Sequence, residues 1–128
     1  KLMKVEEVMR PLERTATVKP DASVKEALFA ITQKKSGCVF IVNASGVMLG
    51  LFTDGDLRRH VEQAHSLLGA RIETVMTKPG IRAVRGELAA EAAHVMQMKR
   101  IDELPVVDSG GVLVGHLDVQ DLLAVGMI

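Results

Sequence analysis

Tryptophan and tyrosine are absent from this 128-residue chain, and phenylalanine occurs three times. Any core must therefore be aliphatic. Apolar residues make up 48% of the sequence, enough to bury one in a chain this short. Net charge is also missing, because sixteen Lys and Arg cancel sixteen Asp and Glu. A neutral chain without stacking side chains lacks the basic face and the platforms that nucleic acid requires, so no nucleic-acid partner is expected. No apolar run approaches the ~20 residues of a membrane span, and no signal-peptide pattern opens the sequence. Cysteine occurs once, at Cys38. That precludes an internal disulfide and suits a reducing, cytoplasmic setting. The four histidines (His60, His65, His94 and His116) lack paired ligand spacing, so no metal site is expected. No nucleophile and base pair emerges, and no catalysis is expected of this chain. Its opening on a mixed apolar and charged stretch reads as a piece of something longer.

What is present is a repeat. Sliding the sequence by 65 places Glu26-Ala27 on Glu91-Ala92, Val42 on Val107, Gly46-Val47 on Gly111-Val112, Gly50 on Gly115 and Asp56-Leu57 on Asp121-Leu122. Earlier, "VEEVM" (Val5 to Met9) matches "IETVM" (Ile72 to Met76) at a shift of 67. The division is into residues 1–65 and 66–128.

Each copy reads alike. A short helical turn ends in Val-Met, with Pro11 or Pro79 following. Short strands are expected at "TATV" (Thr15 to Val18) and "IRAV" (Ile81 to Val84). An amphipathic helix follows, which Ser23 caps with Glu26 closing the box; Val24, Ala27, Leu28 and Ile31 share a face. The second copy lacks the Ser but keeps Leu88, Ala92 and Val95-Met96 on a similar face. Two strand pairs come next: "CVFIV" with "VMLGLF" around Asn43 to Gly46, and "LPVV" with "VLVGHL" around Asp108 to Gly111. Closing helices start near Asp54–Asp56 and Val119–Asp121. The fold class is α+β, two β-α-β-β-α units. Each leaves an apolar face that needs a partner, so the two are expected to pack together.

This pattern, with a strand running Gly-apolar-apolar-Thr-x-x-Asp (Gly50 to Asp56), resembles the CBS domain pair, or Bateman module. The resemblance covers the whole chain and implies pseudo-two-fold packing with two nucleotide clefts. "GLFTDGDLRR" (Gly50 to Arg59), "LPVVD" (Leu104 to Asp108) and "GHLDVQDLLAVGMI" (Gly115 to Ile128) more narrowly resemble the regulatory CBS pair at the C-terminal end of arabinose-5-phosphate isomerases of Kdo biosynthesis. That implies a sugar-isomerase domain N-terminal in the same parent chain, and homo-oligomers. The implied regulatory ligand is a nucleotide or nucleotide sugar. CMP-Kdo, the activated end product, is favoured, with an adenine nucleotide as the alternative. A ligand-free oligomerisation module is the third reading.

The family pattern carries over to Ser36, Gly37, Cys38, Leu51, Thr53 and Asp56, with Ile81 and Arg82 from the second copy. Asp56 would accept from ribose hydroxyls and Thr53 would donate to a phosphate. A helix N-terminus favours the anion, and Arg58, Arg59 or Arg82 could add charge-assisted bonds. The second cleft would take Thr15, Ala16, Thr17, His116, Asp118 and Asp121. It is expected to be weak, because Asp118 replaces Thr53 and repels phosphate, unless His116 supplies positive charge there. Each residue also has a local reading. Thr53 and Asp56 could end a strand and cap a helix. Arg58 and Arg59 could form a solvated face, and adjacent residues cannot both point inward. Asp54-Gly55-Asp56 lacks the later ligands of a calcium loop. Cys38 and the seven methionines read as core.

Overall fold

The computed structural model describes residues 2–61, 66–78 and 80–128; Pro79, His65 and the repeat junction beside it lie outside the described residues. The chain divides into two compact units. One is contiguous, Thr15–Gly80. The other is split, joining Lys1–Arg14 to Ile81–Ile128. The units therefore differ from the sequence halves 1–65 and 66–128. Each repeat's opening segment packs with the other repeat. The reason is visible in the pairing: β1 (Arg10–Pro11) lies antiparallel to β7 (Leu113–Asp118), with Arg10 opposite His116.

In the contiguous unit β2 (Thr17–Val18), β3 (Cys38–Val42) and β4 (Met48–Thr53) form a sheet in that order, β2 parallel and β4 antiparallel to β3. Thr77 adds a bridge to Leu51 on the free side of β4. Helix α2 (Val24–Lys34) starts as the sequence predicts: Ser23 Oγ accepts from the Glu26 N–H at 3.0 Å, and the Glu26 carboxylate accepts from the Ser23 N–H at 3.4 Å. Val24, Ala27 and Ile31 reach the core with Val39, Ile41, Phe52 and Ile72, while Leu28 is half-buried. Helix α3 (Asp54–Val61) closes the unit's β-α-β-β-α run.

The split unit repeats this plan. Its sheet runs β1, β7, β6 (Glu103–Val107), β5 (Ala83–Val84). The core gathers Val5 from α1 (Val5–Val8), Ala92 and Met96 from α4 (Ala89–Lys99), Leu104, Val106, Leu117, and Leu122 from α5 (Val119–Ala124). Leu88 precedes α4 without a side-chain cap, as expected. The strands expected at 15–18 and 81–84 shrink to two residues each, because the parallel ladder begins only at Thr17 and Ala83.

Details recur between the units. Asn43 Oδ1 accepts from the N–H groups of Ser45 and Val47, and Asp108 Oδ1 from those of Gly110 and Val112, all at 2.9–3.0 Å. Gly50 and Gly115 admit a crossing segment. A Cβ at Gly50 would meet Met76 Sδ, and one at Gly115 would meet Met9 Sδ and the Arg10 carbonyl.

Candidate functional site

Alternation along the strands sorts side chains to two faces. In the contiguous unit Val39, Ile41 and Phe52 enter the helical core. Cys38, Phe40, Leu51 and Thr53 consequently share the opposite face, with Cys38 directly across from Thr53 and Phe40 across from Leu51. In the split unit Leu104, Val106 and Leu117 enter the core. The opposite face there holds Glu103, Pro105, His116 and Asp118, with Glu103 across from Asp118 and Pro105 across from His116. The same sheet position is thus apolar with one hydroxyl in one unit and charged in the other.

Thr53 ends β4 and Asp56 sits buried in the first turn of α3, 3% exposed. Its carboxylate draws donors from three directions. Oδ2 accepts from the Thr53 N–H at 2.9 Å and the Thr53 hydroxyl at 3.2 Å. Oδ1 accepts from the Thr77 hydroxyl at 2.9 Å and pairs with the Arg59 guanidinium. The Asp56 N–H in turn donates to Thr53 Oγ1 at 3.2 Å. This is a reciprocal cap, the local reading of the two residues. The Thr53 proton assigned to a phosphate is directed at Asp56. A ribose diol would have to replace an existing donor, and the exchangeable one is Arg59, whose side chain is 69% exposed. Arg58 is exposed on the same helix.

Ser36 lies just past the left-handed Lys35 that ends α2. Its hydroxyl turns onto Cys38, donating to the Cys38 carbonyl at 2.7 Å and accepting from the Cys38 N–H at 3.2 Å. Gly37 joins them, and Cys38 is buried as expected. Ile81 and Arg82 belong to the other unit. There they line a cavity of about 110 Å³ with Ala83, Glu87, Glu91 and Leu104. Of the residues assigned to the weaker cleft from the first copy, Thr15 and Ala16 are buried. Ala16 packs into the core of the contiguous unit and Thr17 pairs in β2.

In the split unit Asp118 caps α5, accepting from the Gln120 N–H at 2.7 Å, and Asp121 Oδ2 accepts from the Asp118 N–H at 3.1 Å. The sequence offered His116 as a positive charge beside Asp118. Its Nε2 lies 2.8 Å from Glu103 Oε1. The cation is Arg10, with Nη2 3.4 Å from Asp118 and Nε 3.3 Å from Asp121. Burial pushes the Glu103 carboxyl above the usual glutamate value; the His116 hydrogen bond opposes this and Asp118 reinforces it.

Sequence reasoning missed Thr77 and Arg10. Both follow the aligned Val-Met pairs by one residue, so the shift of 67 that matched "VEEVM" to "IETVM" also matches them.

The CBS domain model matches residues 5–63 and 72–127. The chain belongs to the CBS domain family. This CBS pair is 38% identical over 127 residues to arabinose 5-phosphate isomerase KdsD of Yersinia pestis, covering 99% of this chain. It spans only 38% of that relative's length. Among solved structures it is similar to CBSX2 in complex with AMP, at TM-score 0.85 and 24% identity, covering 97% of this chain and 96% of that one. It is also similar to the CBS domain pair of MJ0100 in complex with 5′-methylthioadenosine and S-adenosyl-L-methionine, at TM-score 0.85 and 23% identity, covering 98% and 96%. These two likenesses establish the fold of the CBS pair. Among the described residues, no helix is long and apolar enough to cross a membrane.

Proposed function

We propose that this CBS pair is the regulatory ligand sensor of a cytoplasmic arabinose-5-phosphate isomerase, with a nucleotide or nucleotide sugar as its ligand. The observation that carries the reading is the identity to KdsD along 99% of the chain. The proposed ligand residues are Ser36, Gly37, Cys38, Leu51, Thr53, Asp56, Arg58, Arg59, Ile81 and Arg82. Asp56 would read the ribose hydroxyls, exchanging the Arg59 guanidinium for them. Arg59 is then available to a phosphate or carboxylate at the start of α3. CMP-Kdo fits this arrangement, with a ribose, a phosphate and a sugar carboxylate on one molecule. Binding one of two arrangements of the module better than the other would couple the site to an attached isomerase domain, in a homo-oligomer.

A second reading keeps the site and takes an adenine nucleotide. It is favoured by the adenine-containing ligands named for the two similar structures. The test is thermal unfolding with CMP-Kdo, CMP, AMP and ATP in turn. A ligand at 100 times its Kd stabilises by about 2.7 kcal/mol, roughly 10 °C for a domain of this size. A shift with CMP-Kdo that Asp56→Asn abolishes supports the sensor. A shift confined to AMP or ATP selects the second reading. No shift with any of the four leaves an oligomerisation module.

A further inference from the structure

Two units with one plan offer an internal comparison. In the contiguous unit the strand-end and helix pair is Thr53 and Asp56, and the crossing segment brings Thr77 to Asp56 Oδ1. In the split unit the corresponding pair is Asp118 and Asp121, and the crossing segment brings Arg10. The backbone frame is shared: Thr77 bridges Leu51, Arg10 pairs with His116, and Met76 and Met9 pass over Gly50 and Gly115. Position by position, a hydroxyl on one carboxylate is replaced by a guanidinium spanning two.

The two arginines that touch these carboxylates differ in kind. Arg59 extends from α3 with a side chain 69% exposed, so solvent or a ligand can replace it. Arg10 is 18% exposed and fixed by the β1–β7 ladder. Its planar fork faces Asp118 and Asp121 together, an arrangement that a sugar diol cannot reproduce without leaving charges unpaired. We infer that Arg10 is the specificity-determining residue that confines nucleotide binding to the Asp56 site, by occupying the carboxylates of the corresponding Asp118 and Asp121 pair that would otherwise receive a ribose. This rests on the proposed nucleotide site at Asp56. It goes beyond the expectation that Asp118 alone weakens the second site. Removing Asp118 leaves Arg10 on Asp121, and removing Arg10 leaves two bare carboxylates that repel a phosphate. Both must change together.

The experiment is calorimetric titration of the 128-residue chain with CMP and AMP as probes, with circular dichroism as the folding control. The wild type binds one nucleotide, and Asp56→Asn binds none. Asp118→Thr alone still binds one. Arg10→Thr with Asp118→Thr binds two, and Arg10→Gln with Asp118→Thr supplies a second version should the first not fold. The reciprocal change, Thr77→Arg, lowers affinity at the Asp56 site at least tenfold, whereas Thr77→Val changes it less. The inference is overturned if the wild type binds two, if Asp118→Thr alone binds two, if a folded double variant still binds one, or if Thr77→Arg binds like wild type. If neither probe binds the wild type, CMP-Kdo takes their place in the same series; if that too leaves the wild type unbound, the nucleotide reading itself fails and this inference goes with it. That outcome is separate from the four above, which all require a bound probe.

Discussion

Asp56 presents two oxygens to donors on three residues, and that arrangement sets what its loss does. In Asp56→Ala the Thr77 hydroxyl and the Thr53 N–H lose the acceptor of their part-buried bonds. We expect a cost of about 1–3 kcal/mol, read as a lower urea midpoint without any ligand present. A loss of affinity in that variant would mix two effects, which is why Asp56→Asn is the cleaner probe of binding. Glu103 gives a pH dependence. Its pKa is raised in the folded state, so the folded chain favours the protonated acid. The associated stability is full below the ordinary glutamate value of 4.5 and is lost as pH rises through the raised value. Glu103→Gln should flatten that decline, measured as urea midpoints over rising pH. A decline as steep as wild type would place its origin elsewhere. At this scale the sequence made Thr53 and Asp56 legible as a pair, because Thr-x-x-Asp states both the cap and the family motif. It concealed their partners. Nothing near Thr77 or Arg10 in sequence indicates a carboxylate, since both contacts depend on a segment folding across a distant strand.

Elements were legible where the local signal is strong. Strand β3 occupies the five residues that "CVFIV" marks, and α2 begins after Ser23 because the capping box fixes its start. Ser23→Ala should cost about 1 kcal/mol by denaturant titration, because it removes the hydroxyl that accepts from the Glu26 N–H; an unchanged midpoint would contradict this. The short parallel strands were overestimated, because their limits are set by the partner ladder rather than by their own residues. Gly50 and Gly115 aligned in the repeat as apparent strand glycines. Their reason is a crossing chain. Alanine at either should destabilise by about 1–3 kcal/mol through overpacking. Gly115→Ala should be the worse of the two, since its Cβ would lie 2.6 Å from the Arg10 backbone oxygen, whereas at Gly50 the nearest backbone atom is 3.0 Å away. Equal midpoints for the two variants would contradict this.

For the whole molecule, the repeat predicted two units with the same plan, and the structure has them. What a repeat cannot say is which copy an opening segment joins, because alignment records order along the chain and not pairing in space. Val5 and Arg10 answer that through their burial and ladder with the second copy. A peptide of residues 15–80 contains every core residue of its unit and should give dispersed amide resonances. A peptide of residues 66–128 lacks Val5 and β1 and should not, until a peptide of residues 1–14 is supplied.

The split unit also constrains the order of events during synthesis. Arg10 leaves the ribosome about a hundred residues before His116, its ladder partner. At ordinary elongation rates that is a wait of roughly 5–20 s. Over that interval the contiguous unit can complete its core, while Val5, Val8 and Met9 remain apolar side chains with nothing yet to cover them. Residues 5–9 are therefore made well before the strands that cover them, and a chaperone that binds short apolar segments would find its substrate there.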